Sequence, residues 1–138
     1  MSGNPVADDV WRAMASLVID NRDSWKRAVV DRSGLPFSRI RVLRRLARGP
    51  MTVKQLAVAA TMDAPAATVA VNDLEERGLV VRTPQPTNRR CKEVSLTDAG
   101  RDMVAMIDAV DDPAPDILRG LDESELTTLK AILAKLAK

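Results

Sequence analysis

Two adjacent arginines, Arg89 and Arg90, stand in the stretch "PQPTNRRCKEVSLTDAGR", with proline and asparagine before them and an alternating run after them. A pair of guanidiniums on a turn is chemistry for anions. Each stays charged, carries about five donors and matches phosphate oxygens. The groups needed for other chemistry are missing. The 138-residue chain has no histidine and a single cysteine, Cys91. Counting therefore excludes a His-dependent triad, a His/Cys zinc site and a disulfide framework within one chain. With no Gly-rich phosphate loop either, neither an enzyme nor a cofactor is expected. Cys91, between Arg90 and Lys92, has two readings: a redox-sensitive thiol or a small strand residue.

The charge is unevenly spread. Residues 39–92 hold eleven basic and four acidic side chains (+7), residues 1–38 sum to zero, and residues 93–138 hold five against ten (−5), giving the net +2. A basic middle on a neutral-to-acidic scaffold is the electrostatic footprint of a nucleic-acid surface. Stacking on single-stranded RNA is disfavoured, because the aromatics are Trp11, Trp25 and Phe37 and none falls near the arginine pair. The N-terminal "MSGNPVADDVW" has no basic start followed by an apolar run, and the most apolar stretch, 56–71, is interrupted by Asp63 and Pro65. No signal peptide, no membrane partner and a cytoplasmic location are expected.

The elements that must hold the arginines follow from periodicity and caps. Asp8 or Asp9 starts a helix carrying Trp11, Met14, Val18, Trp25 and Val29 on one stripe, ending near Gly34. Ser38 opens a second helix with Ile40, Leu43 and Leu46 inward and arginines on its other sides, stopped at Gly49-Pro50. Thr52 and Gln55 form a capping box for a short third helix. Asp63 caps a fourth with Pro65 in its first turn, Gly78 just past its end, and Ala64, Ala67, Val71 and Leu74 inward. "LVVRT" and "KEVSL" read as a β-hairpin with the arginines in its loop. Thr97 or Asp98 starts a helix with Met103, Met106 and Ile107, broken at "DDPAP". Asp122 with Glu125 caps a last helix bearing Leu126, Leu129, Leu133 and Leu136.

The expected fold is thus mostly α with a small β-hairpin wing, a winged helix-turn-helix, as a single domain over 1–138. Residues 35–100 are the DNA-binding part, and 8–33 with 101–138 the dimerisation helices. With Ala67 inward, the fourth helix turns Pro65, Val69 and Asn72 outward, flanked by Ala66 and Thr68. Asn72 suits adenine, Thr68 a base or phosphate, and Val69 and Ala66 a thymine methyl. Arg89 and Arg90 suit a narrow minor groove. Arg39, Arg41, Lys54 and Lys92 are candidate phosphate contacts. Trp11, Met14, Val18, Leu126, Leu129, Leu133 and Leu136 form stripes that need a cover, and a second copy would supply one. Some of the large apolar residues, including Trp25 and Met103, have a second reading as the lining of a ligand cavity.

"LEERGLVVR" followed by "TNRRCKEVSLTDAG" resembles the winged-helix regulators of the MarR family, named for multiple antibiotic resistance, in which a "D-R-R" wing tip precedes a strand ending in "L-T-x-x-G". The resemblance extends to the order and size of the outer helices. It implies a homodimeric transcriptional regulator, often a repressor, of a pseudo-palindromic site in double-stranded DNA. It also implies, as for many members, release by a small lipophilic or aromatic ligand or by an oxidant. Arg89 and Arg90 fall on the wing arginines. Two positions depart from the pattern: Val69 where a recognition-helix arginine is common, and Asn88 where the wing is usually acidic. Both departures shift weight from base readout toward phosphate contacts and DNA shape. A winged helix that binds proteins instead of DNA is the alternative.

Overall fold

The computed structural model describes residues 3–137. Among the described residues, seven α-helices, one 3₁₀ turn and a two-stranded antiparallel hairpin divide into two compact units. One runs from Arg22 to Val110; the other comprises, of the described residues, 3–21 and 111–137. No helix among the described residues is long and apolar enough to cross a membrane.

In the larger unit the order is α2 (Asp23–Ser33), α3 (Phe37–Leu46), α4 (Val53–Ala59), α5 (Ala64–Glu76), β1 (Val80–Pro84), β2 (Lys92–Leu96) and α6 (Asp98–Asp108). Its core is aliphatic: Val29, Ile40, Leu43, Leu56, Leu74, Val94 and Ile107 are fully buried, one or more from almost every element. Each such side chain contributes about 1.5–3 kcal/mol by leaving water. Trp25 packs edge-on against Phe37 with ring centroids 5.8 Å apart, at the margin of that core.

Local chemistry explains the boundaries. Thr52 Oγ1 accepts from the Gln55 amide at 3.1 Å and Gln55 Oε1 from the Thr52 amide at 3.0 Å, closing the expected capping box on α4. Asp63 Oδ1 accepts from the Ala66 amide at 2.7 Å to start α5. Past its end, Gly78 takes φ +77° while the Leu79 amide reaches back to the Leu74 carbonyl at 3.0 Å, a Schellman closure. α4 ends in the same way without a glycine: Thr61 sits at φ +54° and the Met62 amide donates to the Ala57 carbonyl at 2.9 Å.

β1 and β2 pair from Val80↔Leu96 to Pro84↔Lys92, and Met51 adds a bridge on the far side of Val94. The wing root is thus stitched to the segment that leads into α4. Ala64 is exposed and Ala70 is buried in its place, because the inward stripe of α5 runs Ala67, Ala70, Val71, Leu74.

In the smaller unit, α1 (Pro5–Asn21), a 3₁₀ turn (Asp116–Gly120) and α7 (Glu123–Leu136) bury no residue. α1 starts earlier than expected, because Asn4 Oδ1 accepts from the Val6 and Ala7 amides at 3.1 Å, while Asp9 pairs with Arg12 instead. The expected single first helix is interrupted at Arg22, and the Asn21 side-chain amide donates to the Leu17 carbonyl there. Asp122 and Glu125 close a second capping box at the start of α7. Trp11, Val18, Leu133 and Leu136 are exposed; Met14, Leu126 and Leu129 are half-buried.

Candidate nucleic-acid interface

α4 and α5 are joined by a tight turn, and α5 offers solvent the face that includes Pro65, Thr68, Val69 and Asn72, with Ala66 half-buried beside them. Thr68 Oγ1 donates to the Ala64 carbonyl at 3.0 Å, so its remaining capacity toward a partner is as an acceptor. Lys54, in the first turn of α4, is exposed.

The arginine pair occupies the centre of a β-turn. The Cys91 amide donates to the Asn88 carbonyl at 3.1 Å, and the Arg90 amide to Asn88 Oδ1 at 3.2 Å. Asn88 therefore shapes the tip through its side chain, as an aspartate in its place would. The Gln85 amide closes the loop onto the Cys91 carbonyl at 2.8 Å. Arg89 and Arg90 are exposed, and neither guanidinium has an ion-pair or hydrogen-bond partner among the described residues. Lys92 and Cys91 are exposed next to them.

Other arginines behave differently. Arg39, expected at a phosphate, is held against α5: its Nε donates to Asp73 Oδ2 at 3.0 Å. Arg77 approaches the same carboxylate at 3.2 Å. Asp73 is held below the usual carboxylate range chiefly by the Arg39 hydrogen bond, which outweighs desolvation; the Arg77 hydrogen bond and the two positive charges add smaller effects. Arg41 donates to the Ala60 and Thr61 carbonyls at the turn between α4 and α5. Arg44 lies 5.2 Å from the Trp25 ring and 3.8 Å from Asp108. Trp25 is thereby part of the packing of α2, α3 and α6.

Arg82 was not singled out by sequence reasoning. From β1 it donates to Glu75 Oε1 and Asn72 Oδ1, both at 2.7 Å. A signal existed in principle: an arginine two residues after buried Val80 shares its strand face, and Asn72 and Glu75 share a helix face. Asn72 is consequently not a free side chain. Among the described residues no group of His, Cys, Asp and Glu is arranged to hold a metal ion.

Comparison with known proteins agrees with this architecture. Residues 33–90 match the model of the MarR family. The fold is similar to that of wild-type MarR from E. coli in its apo form, at 21% identity over 91% of this chain and 96% of that one, with a TM-score of 0.75. It is similar also to the transcriptional regulator BldR from Sulfolobus solfataricus (21% identity, 98% and 99% of the two chains, TM-score 0.66). A third likeness is to CouR from Rhodococcus jostii RHA1 bound to p-coumaroyl-CoA (23% identity, 97% and 92%, TM-score 0.62).

Proposed function

Starting from a winged helix of the MarR family, the fold of transcriptional regulators, we propose that this chain is a homodimeric repressor of a pseudo-palindromic operator. The observation that carries the reading is the pair of unpartnered guanidiniums at the centre of a turn, on a hairpin whose root is bonded to the helix-turn-helix. Arg89 and Arg90 enter the minor groove, where A-tract narrowing deepens the negative potential. α5 lies in the major groove with Pro65, Ala66, Thr68, Val69 and Asn72 toward base edges. Lys54 and Lys92 meet phosphates. Arg39 acts indirectly, by fixing α5 through Asp73.

The exposed stripes on α1 and α7 support a second copy as their cover, because contiguous apolar surface in water is unfavourable. Dimerisation sets two recognition helices about 34 Å apart, one turn of DNA. That a relative carries p-coumaroyl-CoA supports relief by an aromatic or lipophilic small molecule. Such a ligand acts only through different affinity for the DNA-binding and released arrangements.

The test is binding to duplex DNA across a salt series. Log affinity falls with log salt by about 0.9 per neutralised phosphate, and the Arg89→Ala, Arg90→Ala double variant lowers that slope by about one unit per lost contact. Failure of the wild type to bind any duplex at low salt removes the reading and leaves the winged helix as a protein-binding module.

A further inference from the structure

Arg82 links the wing to the helix at a position where the chemistry of its partner matters. It lies two residues after Val80 on β1, on the strand face turned to the core, and is largely covered (side chain 22% exposed). Its two terminal nitrogens reach Glu75 Oε1 and Asn72 Oδ1 simultaneously, each at 2.7 Å. Glu75 neutralises the guanidinium, so this cation is not available as a general phosphate contact. The second nitrogen is left to act on Asn72 alone.

A guanidinium has donors and no acceptor, so the end of the Asn72 amide facing it must be the carbonyl. An unrestrained asparagine flips between two orientations that exchange donor and acceptor. Here one orientation is held: Oδ1 toward the wing root, Nδ2 outward. Major-groove edges differ in the order of donors and acceptors, so an amide locked in one orientation discriminates where a flipping one averages. The second lone pair of Oδ1 together with outward Nδ2 still offers the acceptor and donor that adenine N6–H and N7 require.

We propose that Arg82 is a positioning residue for base readout, setting the hydrogen-bonding polarity of Asn72 and with it the preference at one base pair of each half-site. The inference rests on α5 being the recognition helix. It assigns specificity to a residue that touches neither base nor phosphate.

The experiment selects bound sequences from random duplexes with wild type, Arg82→Met, Asn72→Ala and the double variant. It then measures affinity for the best site and for that site changed at the base pair Asn72→Ala relaxes. Arg82→Met is expected to lose discrimination at that same base pair by roughly tenfold. The double variant loses no more than either single, and the salt slope stays as in wild type. Unchanged discrimination in Arg82→Met overturns the proposal. So does uniform weakening on all sequences with a slope lower by about one, the mark of a phosphate contact. Should Arg82→Met fail to fold, Arg82→Gln serves, since its amide meets Asn72 with either end and releases the constraint; full discrimination by that variant overturns the proposal too. A wild type that selects no sequence and binds no duplex brings down the DNA-binding reading itself. A wild type with a palindromic site whose preferences survive in Arg82→Met brings down only this inference.

Discussion

The two ends of one hairpin are built on opposite principles. At the tip, Arg89 and Arg90 sit on a turn held mainly by backbone bonds and one Asn88 oxygen, and their guanidiniums meet no partner among the described residues. At the root nearly every polar group is committed. Thr97 donates from Oγ1 to the Gly78 carbonyl at 2.6 Å, accepts from the Gly100 amide at 3.1 Å, and sends its own amide to the Leu79 carbonyl at 3.1 Å. Arg82 ties the same region to α5, and Met51 ties β2 to the entry of α4. The difference separates two duties of a basic protein surface. Free cations supply salt-dependent attraction, whereas tied ones fix the geometry in which attraction is used. It also gives "L-T-x-x-G" a physical meaning: a threonine that hooks the helix start onto the chain before β1, and a glycine where the two backbones nearly touch.

The sharpest way to break the root is at Gly100. A Cβ there would fall far inside contact distance of the Leu79 carbonyl oxygen, a backbone atom that cannot swing away. Gly100→Ala should cost at least about 2 kcal/mol, in the range of overpacked cores, read as a lower urea midpoint at unchanged m. Thr97→Val keeps the shape but removes the cap and the hook, and should cost about 1–2 kcal/mol. Equal stability in either variant would mean the root is looser than its hydrogen bonds imply. Replacing both tip arginines should leave stability within about 0.5 kcal/mol, as for surface positions without partners.

The parts of this frame that sequence made legible are those whose partners are three or four residues away. Thr52 with Gln55, Asp63 with the Ala66 amide, and Asp122 with Glu125 are local bonds, and each was expected and found. The order of helices and hairpin followed from equally local periodicity. What was not legible depends on tertiary approach. Arg39 meets Asp73 across 34 positions, and no spacing rule chooses that partner from nineteen acidic residues; Arg82 meets Asn72 across ten, where shared strand and helix faces are the sole local hint. Helix phase failed for a related reason: Ala64 and Ala70 are equally apolar, and only the packing of α5 decides which is inward. The start of α1 went to Asn4 over two adjacent aspartates because several good caps competed within one turn.

The two Schellman ends of the helix-turn-helix offer a finer contrast. Gly78 takes the left-handed conformation freely, while Thr61 takes it at φ +54° with a branched Cβ. Arg41, donating to the carbonyls of Ala60 and Thr61, helps hold that turn. The left-handed region costs a non-glycine residue about 1–2 kcal/mol, and glycine returns about half of that through its freer unfolded chain. Thr61→Gly should therefore raise stability by about 0.5–1 kcal/mol. A loss instead would show that the threonine side chain contributes contacts that outweigh its strain.

The smallest expected effect lies in how α5 is held against α3, and it is confined to acid. Asp73 accepts from Arg39 and Arg77, and its carboxyl is held below the usual range near 3.8. Because the folded state binds the proton less readily than the unfolded chain, this contribution is complete above the unfolded value, about 4. It is lost as pH falls through the lower folded value. Asp73→Asn keeps the side-chain size and one acceptor but has no proton to bind. Urea midpoints of the two proteins, measured from pH 7 down to pH 3, should differ by a constant amount above about pH 5 and converge below about pH 4. A gap that persists unchanged into acid would mean that the Asp73 charge adds nothing to the pairing. α5 would then be held on this side by shape, and Arg39 would not be committed to it by charge.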